Sequence, residues 1–284
     1  MIVHATFQRR RRIGVLLVAG ALAVTSACTS SSGKSGSTPP SPASAAGSRP
    51  PLSTKVPAVP KSVPQNPADL AQLMRPGLAQ TGFAHVSFST SIAGSQLTGL
   101  GDIVLVNGQV TGLNVNDRVT GLGNVRFLLV NNIAYAKLPT PTESGKPYTV
   151  VANTSAKPAV VRAGIALQAT KVLCALATYR SLVNAASSVN YLGNGTVNQE
   201  PALHYSFVST AKKIPSTDPL NAILAAVGVS TVDMDLWVDG LGRPLKVSAP
   251  LNGNLKAPTK VNFSAFNKPF RIAAPPVAEV DTGG

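Results

Sequence analysis

The sequence is short of charge. Charged residues fill 13% of its 284 positions, about half the usual share of a soluble globular chain. Acids are scarcer still, with 11 Asp and Glu against 25 Lys and Arg and a formal net charge of +14. Aromatic residues reach only 5%, with a single Trp, although hydrophobic residues reach 44%. Small aliphatic side chains therefore carry the apolar content. Two Cys and three His leave little for a disulfide framework or a metal site. Gly and Pro, at 24 and 23, are too few and too aperiodic for collagen. Beyond the N-terminus no apolar run approaches the ~20 residues of a membrane-spanning helix, which excludes a bundle of such helices. Roughly two hundred residues remain between the two ends, enough for one core or two.

Residues 1–27 read as an export signal. Arg9 to Arg12 form a positive start, an apolar stretch runs from Ile13 to Val24, and small residues Thr25, Ser26 and Ala27 follow. A secretory signal has this charged, apolar and small-residue order. Cys28 comes directly after the small triplet, and the arrangement resembles the bacterial lipobox, although Thr25 stands where such motifs usually carry Leu. The resemblance implies that the Cys28 thiol is linked to diacylglycerol, becomes the new N-terminus and anchors the chain to a membrane. Cleavage after Ala27 by ordinary secretion is the alternative. Stable anchoring takes two or more acyl chains. Removing residues 1–27 takes away four Arg and no acid, which leaves about +10, attracted to anionic lipid head groups. Nucleic acid is disfavoured as a partner, because an exported chain rarely meets it and the basic residues are scattered.

Residues 28–66 hold the Cys and a Ser/Pro/Gly-rich tether, with runs such as Ser30-Ser31-Ser32-Gly33 and Thr38-Pro39-Pro40-Ser41-Pro42. Such composition buries too little apolar area to offset backbone entropy. A flexible tether of this length spans roughly 35 Å. The folded domain is expected over 67–274, with a loose tail over 275–284 containing Pro275-Pro276 and Gly283-Gly284.

Within the domain, Asn66 and Pro67 read as the cap and first position of a helix, which Pro76-Gly77 either kinks or restarts. The period then becomes two. Asn107-Gly108 and Asn131-Asn132 separate alternating segments and read as hairpin turns. Residues 155–187 are Ala- and Leu-rich, with Ser181 as a place where a second helix restarts. Strands resume at Val189 to Leu192 before Gly193-Asn194-Gly195, and Asp218-Pro219 opens a short helix closed by Gly228. Strands at Thr231 to Val238, Leu245 to Ala249 and Val261 to Phe263 complete the pattern. Helices segregated from a large antiparallel sheet define an α+β class.

Residues with reactive side chains are weighed individually. Ser209 and Lys212 fit Ser-x-x-Lys, but no Ser-Asp-Asn or Lys-Thr-Gly follows. Asp233, Asp235 and Asp239 suggest a cation site, yet the first two alternate with apolar residues as on a wet strand face. His85 and His204 have no acidic neighbour in sequence to complete an acid–base pair. Cys174 sits in the apolar run Val172 to Leu176 and reads as a small buried hydrophobe. No catalytic residue, metal site or cofactor is assigned.

The remaining features come in a recognisable order. They are the lipobox Cys28, the tether, a helix ending in Gly82-Phe83-Ala84-His85-Val86, and the hairpin at Asn107-Gly108. Then follow Ile133 to Leu138, Val232 to Val238, Gly240 to Lys246 and Val261 to Ser264. Across roughly residues 67–266 this resembles the mycobacterial LppX/LprAFG lipoproteins, related to half-barrel lipid carriers of the LolA/LolB type. The resemblance implies a curved antiparallel sheet with helices on its concave face and a hydrophobic cavity between them. It implies a non-enzymatic carrier of acylated lipid or glycolipid across the cell envelope, on the outer face of the membrane.

Strand and helix alternation nominates Ile103, Leu105, Leu113, Val125, Phe127, Leu129, Ile165, Leu173, Leu176, Leu224, Met234, Leu236 and Val238 as cavity lining. Each fits an ordinary packed core equally well. A second function stands beside the first: a surface binding or sensor lipoprotein with a filled core, recognising a protein or polymer through exposed aromatics such as Trp237 or Tyr205. The anchor is open to direct test. Metabolic labelling with palmitate is expected to mark the intact chain and to vanish in Cys28→Ala; an unlabelled parent chain would favour ordinary secretion.

Overall fold

The computed structural model of the chain describes residues 58, 60, 62–92, 95–141, 145–151, 157–249 and 258–282. Residues 1–27, Cys28 and most of the tether lie outside them. Helix α1 (Pro67–Gln80) starts as its sequence dictates: the Asp69 amide donates to Asn66 Oδ1 at 2.9 Å, and Asn66 Nδ2 donates back to Asp69 Oδ2 at 2.7 Å. Pro76 lies inside this helix without ending it. The amide of Gly77 instead donates to the carbonyl of Leu241 at 3.0 Å.

A first meander follows: β1 (Phe83–Ile92), β2 (Ser95–Val106), β3 (Gln109–Val119), β4 (Gly123–Val130), β5 (Ile133–Lys137) and β6 (Tyr148–Val150). Its tight turns are set by residues that tolerate positive φ, at Asn107 (52°) with Gly108 (77°) and Asn131 (50°) with Asn132 (64°). Helices α2 (Pro158–Cys174) and α3 (Leu176–Ala185) come next. The second meander holds β7 (Ala186–Val197), β8 (Glu200–Thr210), β9 (Thr231–Val238), β10 (Pro244–Ala249) and β11 (Thr259–Ser264), with α4 (Pro219–Ala226) between β8 and β9.

Among the described residues the strands form one open, curved sheet in the order β12-β6-β5-β4-β3-β2-β1-β11-β10-β9-β8-β7, where β12 is Val280–Asp281. The two meanders join where β1 pairs with β11, Val86 opposite Phe263. The chain leaves β6 near one edge and re-enters at β7 on the other, so α2 and α3 must cross a face. The inward positions under them, among them Val86, Ile103, Leu113, Phe127, Leu236 and Phe263, are buried. The α+β class and the helix-covered curved sheet agree with expectation.

Three expectations are corrected. The tail is not loose through its length: β12 adds to β6 in parallel, Lys146 Nζ donates to the Val280 carbonyl at 3.0 Å, and Lys157 pairs with Asp281 at 3.4 Å. The sheet is therefore mixed rather than purely antiparallel. The strand expected to end at Leu192 does not end there: β7 runs on through Gly193-Asn194-Gly195 to Val197, with a register shift between Tyr191 and Gly193; the glycine serves a bulge. The turn falls at Asn198-Gln199, φ 51° and 68°. The second helix restarts at Leu176 rather than at Ser181.

The turn between β9 and β10 is held by a buried ion pair. Asp239 Oδ2 accepts from Arg243 Nε at 2.6 Å, and Asp239 Oδ1 accepts from the amides of Leu241 and Arg243, each at 2.9 Å. The Arg243 guanidinium also lies over the Phe266 ring, 4.3 Å from its centre. Gly77 and Gly242 let this turn approach α1; a Cβ on Gly242 would collide with the backbone of Leu73. Asp239→Ala strands a buried guanidinium, so urea unfolding is expected to show a loss of about 3–5 kcal/mol; an unchanged midpoint would show that the pair does not hold the turn.

Candidate functional site

The site begins with a break in the helical layer. α2 and α3 meet at Ala175, which is extended (φ −78°, ψ 119°), and their axes differ by 70°. A helix end leaves its last carbonyls without partners. Here Thr178 Oγ1 donates to the Val172 carbonyl at 2.8 Å, and the Tyr179 hydroxyl donates to the Leu173 carbonyl at 2.5 Å. The amide of Ala177, at the start of α3, donates to the Gly108 carbonyl in the β2–β3 turn at 3.1 Å. Sequence reasoning places this break five residues late, at Ser181, because no Gly or Pro marks its position.

Around the break the helices stand off the sheet. A cavity of about 120 Å³ lies between Ala169, Val172 and Leu173 of α2, Thr178, Tyr179 and Leu182 of α3, and Leu220, Ile223 and Leu224 of α4. Its sheet side is Thr90, Val232, Met234, Val247, Ala249 and Thr259. Ser91, Thr231 and Asp233 also border it, and four of its hydroxyls are occupied elsewhere. Thr178 and Tyr179 bond to backbone, as above, and the Thr90 and Thr259 hydroxyls bond each other at 2.7 Å. The remaining lining is aliphatic, and an apolar lining of this kind disfavours ordered water.

The nominated lining residues fall into three groups. Leu173, Leu224 and Met234 line this cavity. Ile165 does not; it is 61% exposed on the outer side of α2. Ile103, Leu105, Leu113, Val125, Phe127, Leu129, Leu176, Leu236 and Val238 lie in the packed core, outside the lining. Alternation identifies the inward face of each strand, but the hollow lies only where no helix side chain fills the space above it. Sequence reasoning missed Val232, Val247 and Ala249, which the same alternation places on the inward face.

The other singled-out residues take structural parts. Ser209 is fully buried, and its hydroxyl donates to the Leu182 carbonyl at 2.7 Å, while Lys212 is exposed. Cys174 is buried and free, and burial pushes its thiol well above the usual range. His85 and His204 are not alone: strand pairing brings Asp102 to His85 Nδ1 at 2.9 Å and Asp235 to His204 Nε2 at 3.0 Å. Asp239 is taken by Arg243, and among the described residues no group of three or more His, Cys, Asp or Glu could hold a metal. Tyr205 is fully buried, so it offers no recognition surface. Trp237 is sandwiched between the His204 ring, stacked at 4.0 Å, and Lys246 Nζ at 4.3 Å from its centre.

One buried acid lies under α2. Asp117 on β3 accepts from Thr170 Oγ1 at 2.6 Å, and its other oxygen has no partner among the described residues. Gly99, opposite it in the β2–β3 ladder, leaves the room that the carboxyl and the Phe88 ring occupy. Burial raises the Asp117 pKa from 3.8 to about 7, against the lowering effect of the Thr170 bond.

An open sheet covered by helices on one face, with an apolar hollow between the layers, defines the class of this protein. It is similar to LprF from Mycobacterium bovis at 13% identity and a TM-score of 0.49, covering 75% of this chain and 99% of that one. It is similar to the Mycobacterium tuberculosis lipoprotein LppX at 14% identity and a TM-score of 0.48, covering 73% and 99%. A putative outer membrane lipoprotein-sorting protein domain from Vibrio parahaemolyticus matches at 14% identity and a TM-score of 0.22, covering 72% and 92%. No protein-family model matches the chain. No curated protein matches it either.

Asp117 makes stability depend on pH. Between pH 3.8 and about 7 the folded chain keeps a proton that the unfolded chain has lost, so stability falls as pH rises through that window and levels off above it. Urea unfolding of Asp117→Asn is expected to lack this fall, and above pH 7 the variant should exceed the parent by on the order of 1–3 kcal/mol. Parallel profiles for the two chains would contradict the assignment.

Proposed function

We propose that the chain is an exported lipoprotein, anchored through Cys28 to the outer face of the cell membrane, that carries acyl chains of a lipid or glycolipid across the envelope without catalysing a reaction. One observation carries this reading: the hollow at the α2–α3 break is lined mostly by aliphatic side chains, and the hydroxyls of Thr90, Thr178, Tyr179 and Thr259 on its wall are bonded away from it. No reaction is built into it, and the hydroxyl of Ser209 is committed to backbone.

The cavity, at about 120 Å³, is near the scale of the ~150 Å³ apolar void that stays dry and takes up benzene in another protein. A whole fatty tail is larger, so α4 shifts to admit one. This helix has 8 residues and turns Leu220 and Leu224 inward, with Gly228 just past its end. Uncovering two leucines costs roughly 3–6 kcal/mol, whereas burying ten methylenes returns about 8 kcal/mol. The balance favours the filled state for long chains and the closed state without them.

Val247 points into the hollow from β10. Val247→Phe fills it and is expected to weaken binding of a fluorescent polyene fatty acid at least several-fold, while Val208→Phe on the outer face leaves binding unchanged. Equal binding by the parent and both variants would remove the hollow as the site.

A further inference from the structure

The outer side of α2 is uncovered. Ile165 is 61% exposed and Val161 is 41% exposed; four residues apart, they share one side of the helix. α2 contains no acid, and between them stands exposed Arg162, whose guanidinium reaches toward the β3–β4 turn at Gly121. Beneath this side runs a groove of about 390 Å³, bounded by Arg162, Ile165 and Ala169 on the helix and by Gln96, Leu97 and Val119 at the ends of β2 and β3. A second guanidinium, Arg118, opens onto an adjoining depression that shares Gln96, Val119 and Thr120 with the groove. Neither Arg118 nor Arg162 has an acidic partner among the described residues. Ala169 borders both the groove and the apolar hollow.

We infer that this side of the molecule lies on an anionic lipid bilayer, with Ile165 and Val161 entering its interface, Arg118 and Arg162 against lipid phosphates, and the groove leading a tail toward the hollow at Ala169. The inference rests on the carrier reading and adds the surface from which the ligand is loaded. Charge complementarity selects the occupant: without residues 1–27 the chain carries about +10, Arg162 stands between the two exposed aliphatic residues, Arg118 lies at the adjoining depression, and neither has an acidic partner among the described residues. A protein interface is typically anchored by buried aromatic residues in fitted pockets. This side offers two flexible aliphatic tips and two guanidiniums, which suit a fluid, phosphate-bearing surface.

The test uses the full chain with Cys28→Ala and Cys174→Ala, so that an environment-sensitive fluorophore reacts only with one introduced cysteine. The label is placed at Ile165→Cys or, on the outer sheet face, at Val208→Cys, where the native side chain is 50% exposed. Vesicles contain phosphatidylcholine with or without phosphatidylglycerol, and some carry spin-labelled tails. With phosphatidylglycerol the label at 165 is expected to shift to the blue and be quenched by the spin-labelled tails, while the label at 208 stays in water. Arg118→Gln with Arg162→Gln should weaken that response about tenfold, as should raised salt. No shift at 165, or equal shifts at both sites, overturns the inference. Native mass spectrometry of the same samples separates the two claims: lipid retained without docking at 165 overturns only the docking surface, and docking without lipid at any stage overturns only the carrier reading.

Discussion

The carbonyls at the end of α2 need partners without a further turn of helix, and the hydroxyls of Thr178 and Tyr179 supply them from the next helix. This bonding fixes the 70° bend at Ala175, and the rest of the structure follows its geometry. Val172 and Leu173 before the bend and Thr178, Tyr179 and Leu182 after it form the roof of the hollow. A straight helix would lay one continuous ridge on the sheet. The bent one covers the β2–β3 and β7–β8 regions and leaves β9 and β10 partly uncovered.

The bend is tied to the path of the chain. β6 and β7 are ten strand steps apart in the sheet order, which in a flat sheet is about 48 Å. Helices of 17 and 10 residues, set at 70°, reach roughly 34 Å. Curvature of the sheet, with the connection ahead of α2, closes the difference. Curved sheet, crossing helices and interlayer hollow are thus consequences of one topology. Polar groups secure its corners: Asp239 and Arg243 lock the β9–β10 turn, whose Leu241 carbonyl accepts from Gly77 of α1, and Asp117 ties β3 to α2 through Thr170. The second tie carries an unpartnered oxygen, so the helix bordering the hollow is also the one held by a titrating contact.

Much of the framework was legible in the sequence because its signals are local. Asn66-Pro67 and Asp218-Pro219 each combine a side-chain cap with a residue preset for the first turn, and Asn107-Gly108 accepts the two positive φ values a tight hairpin needs. What was not legible depends on contacts distant in sequence or on empty space. The α2–α3 break is written in hydroxyls six residues beyond the carbonyls they satisfy. The His–Asp pairs join residues 17 and 31 positions apart on neighbouring strands. β12 is two residues long and gains its place from Lys146 and Lys157. For the cavity, alternation separated inward from outward along each strand, so Met234 and Leu236 looked alike; only the position of the helices makes one a lining residue and the other core.

The central claim is that helices and sheet leave room for hydrocarbon. Native mass spectrometry of the full chain, purified in mild detergent, tests for bound lipid. The expected result is a folded species heavier than the protein by one or more acylated lipids, released when the chain is unfolded. A folded chain of bare polypeptide mass, after subtracting any acyl group on Cys28, and still bare after incubation with excess fatty acid would contradict it.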